Sequence, residues 1–107
     1  MTIKQLLMSI LSPIGVPVYP LHNEKNEDTY ITFLEYDQRS ALNANNEEIK
    51  TRYFVQVNIF TKGNFDELSK QVKDILKANG FTRTSEYENY EKDTSYFHKA
   101  LRFNITK

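Results

Sequence analysis

The chain has no cysteine and no tryptophan, and only three glycines, three prolines and two histidines in 107 residues. Without cysteine there is no disulfide, no thiolate nucleophile, no zinc ribbon and no iron–sulfur site. Gly15, Gly63 and Gly80 stand alone in the sequence, so no glycine-rich loop cradles a phosphate. No apolar run approaches about 18 residues, which excludes a membrane-spanning helix. Met1 to Leu11 has no charged leader segment, long apolar run and small-residue cleavage site in sequence, so no targeting signal is expected there. Neither sign of charge dominates, with 14 Lys and Arg against 14 Asp and Glu. That balance argues against a broad phosphate-binding footprint, which normally needs a basic domain. These absences read as a soluble protein of a reducing compartment, and cysteine-free chains also suit life outside a cell.

What the chain has is aromatic surface, seven Tyr and seven Phe among 39% hydrophobic residues. A chain of roughly 100 residues buries about two thirds of its unfolded surface, enough for one modest core. A single domain spanning residues 1–107 is expected.

Thr2 is placed to cap a short helix whose stripe is Ile3, Leu6, Leu7, Ile10 and Leu11. Ser12-Pro13 ends it, since a residue before proline avoids the helical region. Val16 to Pro20 is extended, and its two prolines confine it to an edge. His22 to Thr29 is a charged loop. Tyr30 to Tyr36 is a strand, with Ile31 and Phe33 on one side and Thr32 and Leu34 on the other. Asp37 to Lys50 has three Asn and few bulky apolar residues, and reads as a long hairpin arm or a flexible loop. Arg52 to Phe60 alternates clearly as a strand. Asn64 is expected to cap a second helix, with Glu67 at the third position of a capping box. Its stripe is Phe65, Leu68, Val72, Ile75 and Leu76, and Asn79-Gly80 closes it. Phe81 to Glu86 is a strand leading to Tyr87 and Tyr90, and Glu91 to Thr94 is a turn. Tyr96 to Ile105 is the last strand, with Phe97, Leu101, Phe103 and Ile105 inward and Lys99 interrupting them.

Two helices with one apolar stripe each need a shared surface. The pattern predicts an α+β two-layer sandwich, a mostly antiparallel sheet of four to five strands with both helices on one face. Ile31, Phe33, Val55, Val57, Ile59, Leu101 and Phe103 would meet Leu7, Ile10, Leu68, Val72 and Ile75. The other face would carry Thr32, Leu34, Gln56, Asn58, Arg102 and Asn104, fringed by Tyr36, Phe54, Phe60 and Tyr96. A mixed aromatic and polar face suits protein contact, and scattered surface hydrophobics are also ordinary.

Catalytic chemistry is thin. His22 and His98 lack further ligands at metal-binding spacing. The acidic pairs Glu27-Asp28 and Glu47-Glu48, with Glu86 and Glu88, read as solvated charge rather than a carboxylate pair in a cleft. Lys62, Lys70, Lys73 and Lys77 read as a solvated face interleaved with Asp66, Glu67 and Asp74. The aromatic strand Tyr53-Phe54-Val55-Gln56-Val57 has no basic support or glycine–aromatic signature for nucleic acid. No enzymatic activity, metal or cofactor is expected.

Five segments in order carry a resemblance. They are Gly15-Val16-Pro17-Val18 after the first helix, Tyr30 to Phe33, Tyr53 to Lys62, Ile75 to Phe81, and Tyr96-Phe97-His98-Lys99-Ala100-Leu101-Arg102-Phe103. In this order the chain resembles the tail-completion, or tail-terminator, proteins of long-tailed phages and prophages. The resemblance implies a small α+β virion subunit, assembled in the host cytoplasm, that forms a ring, commonly a hexamer. Such a ring caps the tail tube, docks to the head connector and lets DNA pass unread, with no membrane partner. A head-completion protein of similar size and a monomeric protein-binding module are the alternatives. Expected contact residues are Tyr36, Gln38, Arg39, Asn43, Asn45, Glu47 and Glu48 on or near the arm, and Phe54, Gln56, Asn58 and Arg102 on the open sheet face.

Overall fold

A computed structural model describes residues 1–22, 27–44 and 47–107. The first helix, α1, spans Ile3–Leu11. The Thr2 side chain accepts the Gln5 N–H at 3.1 Å, while the Gln5 side chain accepts the Thr2 N–H at 2.8 Å. This reciprocal capping box satisfies two otherwise unpaired donors. One turn of 3-10 helix, Ser12–Ile14, carries Pro13 at its start and ends on Gly15 at φ +100°.

Strand β1, Val18–Pro20, runs parallel to β2, Thr29–Ala44, and lies at the sheet edge as its prolines require. Strand β3, Glu47–Thr61, pairs antiparallel with β2. Helix α2, Asp66–Ala78, follows, then β4, Thr82–Glu91, and β5, Tyr96–Thr106. The sheet order is β1-β2-β3-β5-β4, and all pairings except β1 with β2 are antiparallel. Both helices pack on one face of this mixed sheet, so the architecture is α+β, as the apolar patterns predict.

Alternation builds the core. Ile31, Phe33, Val55, Val57, Ile59, Leu101 and Phe103 are buried on the helix side, against Leu7, Leu11, Val72 and Leu76. Leu68 and Ile75, expected inside, are only partly buried at its margin, while Phe81 seals the end of α2. Gly80, at φ +91°, lets the Phe81 N–H return to the Leu76 carbonyl at 3.0 Å.

Several expectations change. The residue at the α2 cap is Phe65, not Asn64. The Asn64 Oδ1 instead accepts the Asp66 N–H at 2.7 Å, an Asx turn one residue earlier than a cap. Glu67 therefore sits at the second helical position, out of register for a capping box. Phe97 is on the helix side but remains well exposed, with its ring against Phe65 and Tyr90 beyond the core. Lys99 is 7% exposed because Glu86 and Glu88 each hold its ammonium at 2.8 Å. Glu86 is accordingly not a solvated charge. It gathers Lys99, Lys73 at 3.4 Å and Arg83 on the helix side of β4, which also removes Lys73 from the freely solvated set.

The described residues of the Asp37 to Lys50 stretch, 37–44 and 47–50, form the two strands of a hairpin arm. The register runs from Asp37 opposite Phe54 to Ala44 opposite Glu47. Strand β5 ends beside it, where Thr51 and Lys107 exchange backbone bonds at 2.8 and 2.9 Å. Beyond Thr51 the arm continues as a two-stranded ribbon, and the molecule measures 52 × 26 × 23 Å.

Candidate interaction surface

The open face of the sheet follows from strand parity. Residues opposite the core on β3 are Phe54, Gln56, Asn58 and Phe60, and on β5 Tyr96, His98, Ala100, Arg102 and Asn104. Hydrogen bonds cross this face from strand to strand. Asn58 Nδ2 donates to Thr32 Oγ1 on β2 at 3.2 Å, and Gln56 Nε2 donates to Asn58 Oδ1 at 2.6 Å. Arg102 Nε on β5 donates to Gln56 Oε1 at 3.0 Å. His98 Nε2 lies 2.9 Å from Asn58 Oδ1. That oxygen can only accept, so Nε2 carries the proton and the free Nδ1 is the site that titrates. Burial pushes the His98 imidazole below its ordinary value of 6.5, and Glu91 pulls weakly the other way.

The polar network is flanked by rings. Phe60 stacks on His98 at 4.4 Å and on Tyr30 at 4.9 Å, and Tyr96 meets both Tyr30 and Phe60 edge-on. These rings shield the polar groups beneath. Thr32 is 2% exposed and Asn58 6%, although no second layer covers this face among the described residues. The Glu27 carboxylate accepts the Tyr19 hydroxyl at 2.7 Å and raises its pKa, while the Tyr96 hydroxyl donates to the Glu27 carbonyl. Burial raises the Tyr30 pKa, with smaller contributions from the electrostatic fields of Tyr96, Glu91 and Glu27. Ala100 is the small residue among large neighbours. It opens a hollow of ≈ 400 Å³ walled by Gln56, Tyr87, His98 and Arg102.

At the root of the arm a bulge changes which residues belong to this face. Glu35 pairs with Val55, but Asp37 pairs with Phe54, so Tyr36 is the extra residue. The Tyr36 ring stays on the open face, 6.1 Å from Phe54 and under the Arg102 guanidinium at 4.9 Å. After the bulge the parity inverts. Arg39 joins the open face, with its guanidinium 5.4 Å from the Phe54 ring and its Nε 2.9 Å from Asp37. Gln38 turns to the helix side, donating to Glu35 at 3.0 Å beside the start of α1.

The expected contact residues therefore divide. Tyr36, Arg39, Phe54, Gln56 and Arg102 form one continuous patch. Asn58 lies at its buried centre and holds the network rather than offering a contact. Gln38 faces the other way. Asn43, bonded to Ser40 at 2.6 Å, stands with Glu47 and Glu48 on the exposed ribbon. Asn45 lies outside the described residues. His98, which strand alternation places on the outward face, belongs to the patch together with Ala100 and Tyr87, although none of the three is among the expected contact residues. A period-two alternation places their side chains but carries no sign that the face is used. No group of three His, Asp or Glu among the described residues could hold a metal ion, and no helix among them is long and apolar enough to cross a membrane.

No protein-family model matches the sequence, and no curated protein matches it. In shape the chain is similar to one in the virion of a native gene transfer agent particle. The TM-score is 0.61 at 13% identity, and the match covers 96% of this chain and 88% of that one. At such identity the likeness is one of fold.

Proposed function

We propose that the chain is a virion structural protein, a tail-completion subunit that closes into a ring on the tail tube and joins it to the head connector. The observation that carries this reading is the likeness in fold, over nearly the whole chain, to a subunit built into a virion particle. The sequence resemblance to tail-terminator proteins supports the finer assignment. So does the division of the surface into a polar arm and an aromatic, hydrogen-bonded sheet face, two patches suited to different neighbours. In this role the protein acts through contact alone: the network fixes the outer face, and the arm reaches beyond it. DNA would pass through the ring without sequence-specific grip.

Deletion of the gene from a virus that carries it is the direct test. Electron microscopy should find overlong tails or tails not joined to heads, and the protein should be detected at the neck of wild-type particles. Filled heads without tail attachment sites would instead favour a head-completion role. Normal virions lacking the protein would refute the assignment and leave the monomeric binding module.

A further inference from the structure

We infer that the arm of one copy docks, head to tail, into a basic groove between α2 and β4 of the next copy. This rests on the ring reading above and adds the contact that would close the ring.

The groove has a volume of ≈ 450 Å³. Beneath it lie Phe81 and Phe103, core rings that meet edge-on at 6.5 Å and are only 3% and 1% exposed. Its walls carry Lys70, Lys73, Lys77 and Arg83, with Asp74 as the one lining carboxylate among the described residues. Internal pairing answers only part of this charge. Lys70 meets Asp74 at 3.1 Å, and Lys73 and Arg83 share Glu86. Lys77 has no carboxylate at ion-pair distance among the described residues. The groove thus offers unbalanced positive charge set among the alkyl stems of its lysines.

The arm has the complementary chemistry. Glu47 and Glu48 are consecutive on the ribbon, exposed, with no ion pair among the described residues, and they outnumber Lys50, the one cation of this section. Leu42 and Ile49 beside them are 49% and 55% exposed. An acidic ribbon section flanked by exposed apolar side chains fits a basic groove whose lysine stems are apolar. A two-stranded ribbon with water on both faces is marginal alone, so a partner would complete it. Nucleic acid is the poorer occupant, because phosphates meet Asp74 and gain nothing from the lysine stems that Leu42 and Ile49 can cover. The arm is built by β2 and β3 and the groove by α2, β4 and β5. The two patches differ, so the contact is heterologous, the type that generates rings or filaments rather than closed pairs.

Charge reversal on exposed residues tests this without touching the core. E47K/E48K makes an arm-reversed chain, and K70E/K77E a groove-reversed one. Sedimentation at high protein concentration and low ionic strength should detect wild-type self-association that salt weakens. Each reversed variant alone should associate about tenfold more weakly. An equimolar mixture of the two should recover wild-type association, because both of its arm–groove pairings are again opposite in sign. A second measurement covers rings that form only on a template. In this cysteine-free chain, I49C/T82C with oxidised glutathione added as the oxidant should give a ladder of disulfide-linked oligomers on tail tubes, whereas each single variant, with no cysteine facing its own, goes no further than dimers. A missing ladder, association indifferent to both reversals, or a mixture that does not recover would overturn the contact. If deletion still leaves tails unjoined while these tests fail, the ring reading stands and only the arm–groove contact falls.

Discussion

Removing the arm should separate folding from assembly. The cut is set by the ladder: Ser40 pairs with Thr51, and Thr51 exchanges bonds with Lys107. Replacing residues 41–50 with Asn-Gly keeps that three-stranded section intact and supplies the turn a two-residue hairpin prefers. All the described residues removed are exposed, and none belongs to the core. Closing a two-residue connection instead of about ten recovers roughly 1.4 kcal/mol of chain entropy. Against this stands the loss of ribbon hydrogen bonds and cross-strand pairs, each netting about 0.5–1 kcal/mol in water. These contributions nearly cancel, so stability should change by no more than about 1 kcal/mol. For a domain of this size that is a shift in Tm within roughly 4–8 °C. Thermal denaturation by circular dichroism measures it, and addition to tail tubes measures assembly, which should be lost. A variant that melts far lower would mean the arm braces the sheet. A variant that still assembles would show that the arm is dispensable.

The core gives a contrasting scale: Leu101→Ala removes a fully buried side chain and should cost about 2–5 kcal/mol by chemical denaturation, a result below 1 kcal/mol arguing against its packed position. Gly80→Ala places its Cβ at an ordinary 3.6 Å from Ile105, so the cost is backbone strain at φ +91°, about 1 kcal/mol in the same assay. The lowered His98 pKa makes the unfolded chain bind the proton first as pH falls. The His98 contribution is therefore full above 6.5 and lost as pH drops from 6.5 through the lowered folded value. His98→Gln should flatten that part of the Tm–pH profile, and an unchanged slope would refute it. Arg102→Ala removes a cation over Tyr36 and a bond to Gln56. It should change stability by under about 1 kcal/mol yet weaken binding of whichever neighbour covers the open face, as read by co-sedimentation.

Where the sequence was legible, local and long-range forces agreed. In α1 the Thr2 cap, the apolar stripe and Pro13 all mark one nine-residue helix. In β3 the run Val55, Val57, Ile59 fixes the buried face, and its partners on β2 and β5 inherit theirs by register. The arm was ambiguous because a ribbon wet on both sides needs no hydrophobic alternation, which is the signal that distinguishes strand from loop. The bulge at Tyr36 was invisible for a related reason. It inserts one residue into a run with no apolar period to break, and so Gln38 and Arg39 exchange faces. Lys99 and Glu86 lie 13 positions apart, and only the β4–β5 register brings them together. For the candidate patch, residue types and faces were legible on β3, whereas the hollow at Ala100 depends on Tyr87 and His98 arriving from two strands.

The zero net charge takes on a different meaning once the charges have positions. A neutral chain with evenly mixed charges would have little electrostatic preference between neighbours. Here the carboxylates of Glu47 and Glu48 stand on the arm, and the cations of Lys70, Lys77 and Arg83 gather at α2 and β4. Copies that meet head to tail bring opposite signs together, whereas copies that meet arm to arm or groove to groove bring like signs together. The same distribution therefore favours one order of assembly and penalises the symmetric dimer that would block it. Salt should weaken that discrimination, because exposed charges are screened within about 10 Å at 0.1 M ionic strength. The apolar contacts of Leu42 and Ile49 with the lysine stems would persist in part. Weakened association at high salt, with loss of order in what remains, is the behaviour this arrangement of charge requires.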